Sequence, residues 1–462
     1  MEWRLTIRQV AAAAGGEIQA CDPDEIVKEI STDTRRLSEG AVYIALSGAN
    51  FNGHQFVPQA IEQGAVCCVV DQDEGDFAGV PVIRVSDTYK ALRDIAAYYR
   101  SLFRIPVVGI TGSVGKTSTK EMVASVLSQR YKTHKTEGNL NNEIGLPLTM
   151  LKLTGADEIS VVEMGMSAFG EISRLTRIAR PDTAIITNIG VSHIEHLGSR
   201  ENIKKAKFEI LEGLTPDGMV IVNGDDDMLK NAGDEIEFET LSFGITNQSC
   251  DLVARDIKTY SDCSMFSVRV EGVSYSVVVN APGQHHIYNA LAAILVGLKY
   301  NLQMQEILDG IRAFRPSGLR QTVVELPDYV LIKDCYNASP TSMKAGLEVL
   351  SLSHSDTHQG RKVACLADML ELGEIAPEAH RRVGGMAVEY EIDCLITVGA
   401  LAKEIAAGAI EAGMDPADVH SYPDNASLKK DLPSLLKQGD TILVKGSRGM
   451  HLEEIADEIA AY

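Results

Sequence analysis

The sequence predicts an α/β protein divided into three domains, the last two built on mostly parallel sheets. Three observations predict it. The chain has 462 residues, well past the length at which a single hydrophobic core stops growing. Short β-branched runs alternate with stretches of helical periodicity through its later two thirds, the pattern of repeated βαβ units. At the first of these runs, "VVGITGSVGKTSTKEM" from Val107 takes a strand through a glycine-rich turn into a helix. That turn is the place where a doubly wound sheet holds its ligand.

The elements follow in order. Residues 1–84 carry strand-like runs at 42–45, 66–70 and 80–85 between polar turns and form a small N-terminal α/β domain. Leu92, Ile95, Ala96, Tyr99 and Leu102 recur at helical spacing and make a connecting helix. The central domain, 85–316, is expected to place strands at 105–110, 159–163, 184–188 and 220–223, with helices near 173–179 and 202–212. Within it "MFSVRVEGVSYSVVV" reads as an inserted β-hairpin turning at Glu271 and Gly272, and "APGQHHIYNALAAILVGL" as a helix entered through a glycine turn. Pro316, Ser317 and Gly318 make a linker. From 317 to 462, strands at 330–334, 363–367, 394–398 and 441–444 alternate with helices, the last starting near Met450. This is a second doubly wound, Rossmann-like domain.

Lys and Arg total 43 against 64 Asp and Glu, a net charge of −21, which sets aside nucleic acid and anionic membrane as partners. The eight cysteines form no C-x-x-C pair, so neither a zinc site nor a disulfide framework is expected, and a reducing compartment fits. The apolar stretch 290–298 is too short to span a bilayer. A cytoplasmic monomer without membrane insertion is the expectation.

The turn at Gly112, Ser113, Val114 and Gly115 would cradle phosphate on backbone N–H groups and the following helix N-terminus. Lys116 would neutralise the phosphate, the Thr117 hydroxyl would reach Mg²⁺, and Ser118 completes the motif. ATP or GTP is the expected ligand. The outer glycine is Gly109, so the loop is one residue off the common spacing. Glu163 ends "ISVVE" and His193 follows "AIITNIGVS", both at strand ends and both suited to Mg²⁺ beside a phosphate, or to a hydrogen-bonded loop. Lys207 in "NIKKAKFEIL" reads from composition as part of a solvated basic face with Lys204 and Lys205. Asn139, Asn141, Asn142 and Glu143 in "EGNLNNEIG" read as an unusually dense polar loop.

Taken together these motifs resemble the Mur ligases of bacterial cell-wall synthesis over nearly the whole chain. "GSVGKTS" resembles that family's shortened phosphate loop, while "VEMGM" and "TNIGVSHIEHLGS" resemble its metal-binding strands. "AKFEIL" resembles the helix whose lysine is carbamylated in the family, which implies a carbamate on Lys207. Two Mg²⁺ ions are then implied, one at Thr117 and Glu163 and one at His193 and Lys207. "PGQHHIYNALAA" resembles a nucleotide-contacting segment with Asn289 as the matching residue. His286 stands where relatives often have asparagine, and its role stays open. Arg320 matches a domain-junction arginine that reaches the γ-phosphate of ATP, and Asp334 a residue that meets its ribose. "STDTRRLSEGAVYIALSGANFNGHQF" resembles a UDP-sugar site, with Ser31, Thr34 and Arg35 on uridine and pyrophosphate and Asn52, Gly53 and His54 nearby. The three domains are accordingly expected to bind the UDP-sugar, bind ATP and complete the ligation.

"DCYNASP", "LADMLELGE", "VKGSRG" and "GNLNNEIGLPLT" resemble the member of the family that joins D-Ala-D-Ala to UDP-MurNAc-tripeptide, so these two are the implied partners. The resemblance implies an acyl phosphate, formed when the tripeptide carboxylate attacks ATP and displaced by the dipeptide amine. Lys116, Arg320, His193 and Lys207 are the implied catalytic set. Asn337, Ser339, Lys445 and Arg448 lie at strand ends where the dipeptide could bind, or where a buried salt bridge or helix cap would read the same. Rival readings are the family member adding the third stem residue, against which no "NPR" occurs, a folate polyglutamate ligase, and a P-loop switch, against which no N-K-x-D occurs.

Overall fold

The computed structural model describes residues 5–48, 51–71, 77–316, 318–353 and 360–461. Ser317 of the expected linker lies outside them. The chain packs as two compact units: Met1–Thr111 with Arg130–Ala184 and Phe208–Met219, and Gly112–Gln129 with Ile185–Lys207 and Val220–Tyr462.

In the first unit a five-stranded sheet runs in the order Glu17–Gln19, Val82–Val85, Cys67–Asp71, Ala41–Ile44, Glu29–Ser31. Its pairs are parallel except the first. The three strands expected in the N-terminal domain are its three inner ones, because only inner strands are apolar on both faces. Asp87 caps the helix Thr88–Ser101 by accepting from the Lys90 N–H at 3.0 Å. Leu92, Ile95, Ala96 and Tyr99 form its buried stripe, as their spacing dictates. Val107–Thr111, Ile159–Glu163 and Thr133–Lys135 follow as parallel neighbours.

The seven-stranded sheet has the order Thr133–Lys135, Ile159–Glu163, Val107–Thr111, Thr183–Ile186, Met219–Asn223, Glu239–Gly244, Leu252–Val253. In the second unit an antiparallel trio, Arg255–Thr259, Ser264–Val270 and Val273–Val279, contains the expected hairpin. Glu271 and Gly272 both take positive φ, 49° and 83°, which matches the right-handed twist of the strands they join. The helix Gln284–Lys299 buries residues on all sides and packs on the helix Lys116–Leu127. The last sheet runs Thr322–Glu325, Val330–Lys333, Thr441–Lys445, Lys362–Ala367, Cys394–Val398, Val419–Tyr422, with only its first pair antiparallel.

Among the strands without a counterpart in the sequence reading are three in the second unit: Arg255–Thr259, Thr322–Glu325 and Val419–Tyr422. All three are sheet edges with half-exposed residues, so they carry no apolar run to betray them. The helix expected at 202–212 is α-helical only over Arg200–Phe208 and tightens to 3₁₀ over Glu209–Gly213. The last helix starts at Glu453, after a 3₁₀ turn at Arg448–Met450. Among the described residues no helix is long and apolar enough to cross a membrane.

Buried histidines give the fold an acid limit. His380 is fully buried, and its Nε2 accepts the Met369 N–H at 2.9 Å, which requires a neutral ring. Burial holds its pKa below the ordinary value, and burial pushes His286 lower still. Below the unfolded-state pKa of about 6.5 the unfolded chain therefore binds more protons than the folded one. Stability should be complete above that pH and fall as pH drops, by about 1.4 kcal/mol per pH unit for each such histidine. Melting curves between about pH 7 and pH 4 should show this, with a shallower limb in His380→Gln; an unchanged slope would contradict the assignment.

Candidate nucleotide-binding site

The strand Val107–Thr111 delivers the chain to Gly112, whose φ is 148°. A Cβ there would lie 1.9 Å from Thr187 Oγ1, so the position excludes any side chain. Gly115, at φ 87°, ends the turn, and the helix opens with Lys116, Thr117 and Ser118. The turn is clamped by the segment that follows Thr183–Ile186. Thr187 Oγ1–H donates to Val114 O at 2.7 Å. The Asn188 side chain both accepts from the Val114 N–H and donates to its carbonyl, each at 2.9 Å. The Ser113 N–H donates to Asn188 O, and the Gly190 N–H to Ser113 Oγ. The amides of Ser113 and Val114 are thus committed to the clamp, and a phosphate would meet the amides of the helix's first turn instead. Lys116 Nζ folds back over the turn, 2.9 Å from Gly112 O and 3.4 Å from Ser113 O, where it stands ready to exchange these carbonyls for phosphate oxygens. Gly112→Ala should abolish nucleotide binding through this clash while the first unit keeps its fold; calorimetric titration with ADP and circular dichroism check the two halves of that expectation.

Asn289 projects from the helix Gln284–Lys299 onto this loop. Its Oδ1 accepts the Thr119 hydroxyl at 2.9 Å and would be 3.6 Å from a Cβ on Gly115. Its Nδ2 is buried with no partner. An orphaned donor beside a phosphate loop is a fitting contact for a nucleotide.

Lys207 is 2% exposed, which overturns the solvated-face reading for this residue, though Lys205 is exposed and Lys204 pairs with Glu235. Burial, with the neighbouring charge of Lys116 as a second cause, holds its ammonium well below the ordinary value. His193 sits in the left-handed region at φ 65°. Desolvation lowers its pKa; Lys116 and Lys207 act in the same direction, and Glu371 opposes them. Lys116, His193 and Lys207 therefore form one basic cluster that an anion would relieve. Glu371 Oε2 lies 2.5 Å from His193 Nδ1.

In the last sheet Lys445 Nζ donates to Asp334 Oδ2 at 2.7 Å and to the carbonyl of Asn337 at 3.2 Å. Burial raises the Asp334 pKa while Lys445 pulls it down. The Arg320 guanidinium lies 4.0 Å over the ring of Tyr336. Ser339 caps the helix Pro340–Leu352, and Arg448 pairs with Glu453 at 3.2 Å. The salt-bridge and cap alternatives thus describe what Lys445 and Ser339 do here. His286 is buried against His285 and Phe314 with both ring nitrogens unpartnered.

The remaining predicted residues belong to the first unit. Glu163, fully buried, accepts from Asn141 Nδ2 at 2.7 Å, which explains part of the dense polar loop. Asn142 accepts the Gly145 N–H, and Glu143 pairs with Arg174. Ser31 Oγ and the Arg35 side chain both bind Asp33, and Thr34 is buried. Asn52 Oδ1 accepts the His54 N–H, and His54 Nε2 accepts the Asp71 N–H at 3.0 Å. A Cβ on Gly53 would come within 2.4 Å of Leu46 O. His54 and Gly53 therefore hold this corner together. Sequence reasoning missed Thr187, Asn188 and Glu371, although "TNIG" and "LADMLELGE" were noticed as motifs.

A parallel sheet, a glycine turn clamped at a strand end and a lysine at the first position of the next helix define a P-loop nucleotide-binding protein. Comparison with known proteins takes this further. Family models match three successive stretches: the Mur ligase family catalytic domain over residues 26–100, the Mur ligase middle domain over 110–297 and the Mur ligase glutamate ligase domain over 319–448. The chain is 37% identical over 459 residues to UDP-N-acetylmuramoyl-tripeptide–D-alanyl-D-alanine ligase of Bacillus subtilis, covering 99% of this chain and 98% of that one. It is 36% identical to the enzyme of the same name from Synechocystis, over 94% and 92% of the two chains. Crystal structures of MurF from Acinetobacter baumannii (TM-score 0.89, 30% identity, 99% of both chains) and of MurF from Thermotoga maritima in complex with ADP (0.82, 27%, 94% and 97%) share its fold. The chain belongs to the Mur ligase family.

Proposed function

We propose that this protein is the ATP-dependent ligase that joins D-Ala-D-Ala to UDP-MurNAc-tripeptide, giving the pentapeptide precursor of peptidoglycan. The observation that carries the reading is the full-length 37% identity to a ligase of that name, on a chain whose phosphate loop, Lys116, His193 and Lys207 fall in one unit. A carboxylate and an amine do not condense in water, since the carboxylate is a poor electrophile. The tripeptide carboxylate attacks the γ-phosphorus of ATP, ADP leaves, and the dipeptide amine displaces phosphate from the resulting acyl phosphate. The chain's part is positioning and charge neutralisation. Lys116 leaves the Gly112 and Ser113 carbonyls for the phosphate, the helix at Lys116 supplies amides, and Asn289 offers its free donor to the nucleotide. Arg320 and Asp334 are assigned to the γ-phosphate and the ribose.

The donor set fits Mg²⁺ on one condition. A dication prefers oxygen, and the Lys116 ammonium beside Lys207 repels it. Lys207 with a depressed basicity can take up CO₂ as a carbamate, which replaces a cation by two oxygens. Thr117, His193 and carbamylated Lys207 would then hold the metal, and the family resemblance adds Glu163. Bound Mg²⁺ neutralises phosphate charge.

Three domains, 1–84 for the UDP-sugar through Ser31, Thr34, Arg35 and Asn52, 85–316 for ATP and 317–462 for ligation, complete the proposal, with Asn337 and Arg448 on the dipeptide. The protein works as a cytoplasmic monomer. Phosphate release from ATP and Mg²⁺ should require both UDP-MurNAc-tripeptide and D-Ala-D-Ala, and mass spectrometry should find the pentapeptide. Release driven instead by a UDP-MurNAc-dipeptide and a free diamino acid would reassign the chain within its family.

A further inference from the structure

His193 lies on a segment gripped from two directions. Toward the phosphate loop, Asn188 and Gly190 clamp Val114 and Ser113, and Asp226 and Arg200 brace Ile189 through its N–H and its carbonyl. Toward the last sheet, Val191 and Ile194 pack on the core that contains Leu366, Met369 and Leu372. The Glu195 N–H donates to Glu371 O at 3.3 Å, and the Glu371 carboxylate reaches His193 Nδ1. The Glu371 segment is itself anchored to the end of Thr441–Lys445, since the Leu370 N–H donates to Ser447 Oγ at 2.9 Å and the Ser447 N–H to Asp368 O at 3.1 Å. His193 and Glu371 both hold positive φ, 65° and 61°, without being glycine. Such conformations persist where surrounding contacts impose them.

We propose that Glu371 is a positioning residue that fixes the His193 imidazole through Nδ1, leaving Nε2 for a divalent cation, and so ties the phosphate-loop clamp to the C-terminal sheet. A carboxylate behind a ligating histidine sets the ring's tautomer and orientation and raises its basicity. The proposal rests on the ligase reading of the same site. It goes beyond it in giving a residue of the last sheet's loops control over the metal affinity of the nucleotide site.

Binding of ADP to the full chain, titrated by calorimetry with Mg²⁺ and again in EDTA, separates the two readings because it needs no peptide substrate. Glu371→Gln and Glu371→Ala should raise the half-saturating Mg²⁺ concentration about 10–100-fold, leave ADP binding in EDTA unchanged, and speed hydrogen exchange over 188–197. The exposed neighbour variant Glu374→Gln should match wild type. Mg²⁺ dependence within about twofold of wild type would overturn the proposal, as would a loss of ADP binding that is equal with and without metal, the mark of a merely structural role. Failure of wild type to ligate would sink the function and leave the Glu371 result readable.

Discussion

Replacing Lys116 by alanine is expected to slow ATP-dependent pentapeptide formation by about 10²–10³-fold, the loss that follows removal of one preorganised group from developing charge. The expectation follows from where the side chain is. Its Nζ donates to the carbonyls of Gly112 and Ser113, while the turn's shape is held independently by Thr187, Asn188 and Gly190. Removing the ammonium therefore deletes charge without deleting the loop. The melting midpoint should stay near wild type, as for substitutions outside the core, and the loss should fall mainly in kcat, because the charge on the transferring phosphoryl group develops in the transition state. Steady-state phosphate release at saturating peptide substrates measures it. Turnover at the wild-type rate would remove Lys116 from the site.

The central features were legible because they are local. A strand, two glycines at positive φ and a helix with an apolar stripe follow one another within twenty residues or so, and each leaves its own periodicity. Glu271 and Gly272 were readable for the same reason, since only two residues separate the paired strands. Composition alone hides Lys207, because it ignores helical phase. Ile203, Ala206, Lys207 and Ile210 are all buried, and their spacing puts the lysine on the apolar face of its own helix. That signal stood in the sequence, and a charge on an apolar stripe points to a site rather than a solvated surface. Glu371 left no such trace. It meets His193 only through the folded chain, since the two are far apart in sequence, and nothing in "LADMLELGE" says which of its two glutamates will face the histidine. The edge strands were hidden for a simpler reason: half of each faces solvent, so their residues need not be apolar.

The second large effect concerns Lys207 itself, and its sign comes from the direction of its pKa. An amine held well below its ordinary basicity by burial, and by Lys116 beside it, gives up its proton and frees its lone pair more readily than a surface lysine. That neutral form is the one that attacks CO₂, forming an N–C bond and releasing a proton, so a carbamate can form where an ordinary surface lysine would stay protonated. The product is an anion beside Lys116, the cation that disfavoured the ammonium, so the same charge that depresses the amine stabilises its carbamate. Enzyme prepared and assayed free of CO₂ should therefore lose Mg²⁺-dependent ligation and regain it on adding bicarbonate. Lys207→Ala and Lys207→Arg should both lose activity by about 10²–10³-fold, the arginine variant because it keeps a positive charge and cannot be carbamylated. Carbon-13 labelled bicarbonate should give one carbamate resonance in wild type that is absent from both variants. A fully active Lys207→Arg enzyme would show that only a cation is needed there, and a wild type without the resonance would leave the Mg²⁺ site short of the oxygens that His193 and Thr117 cannot supply.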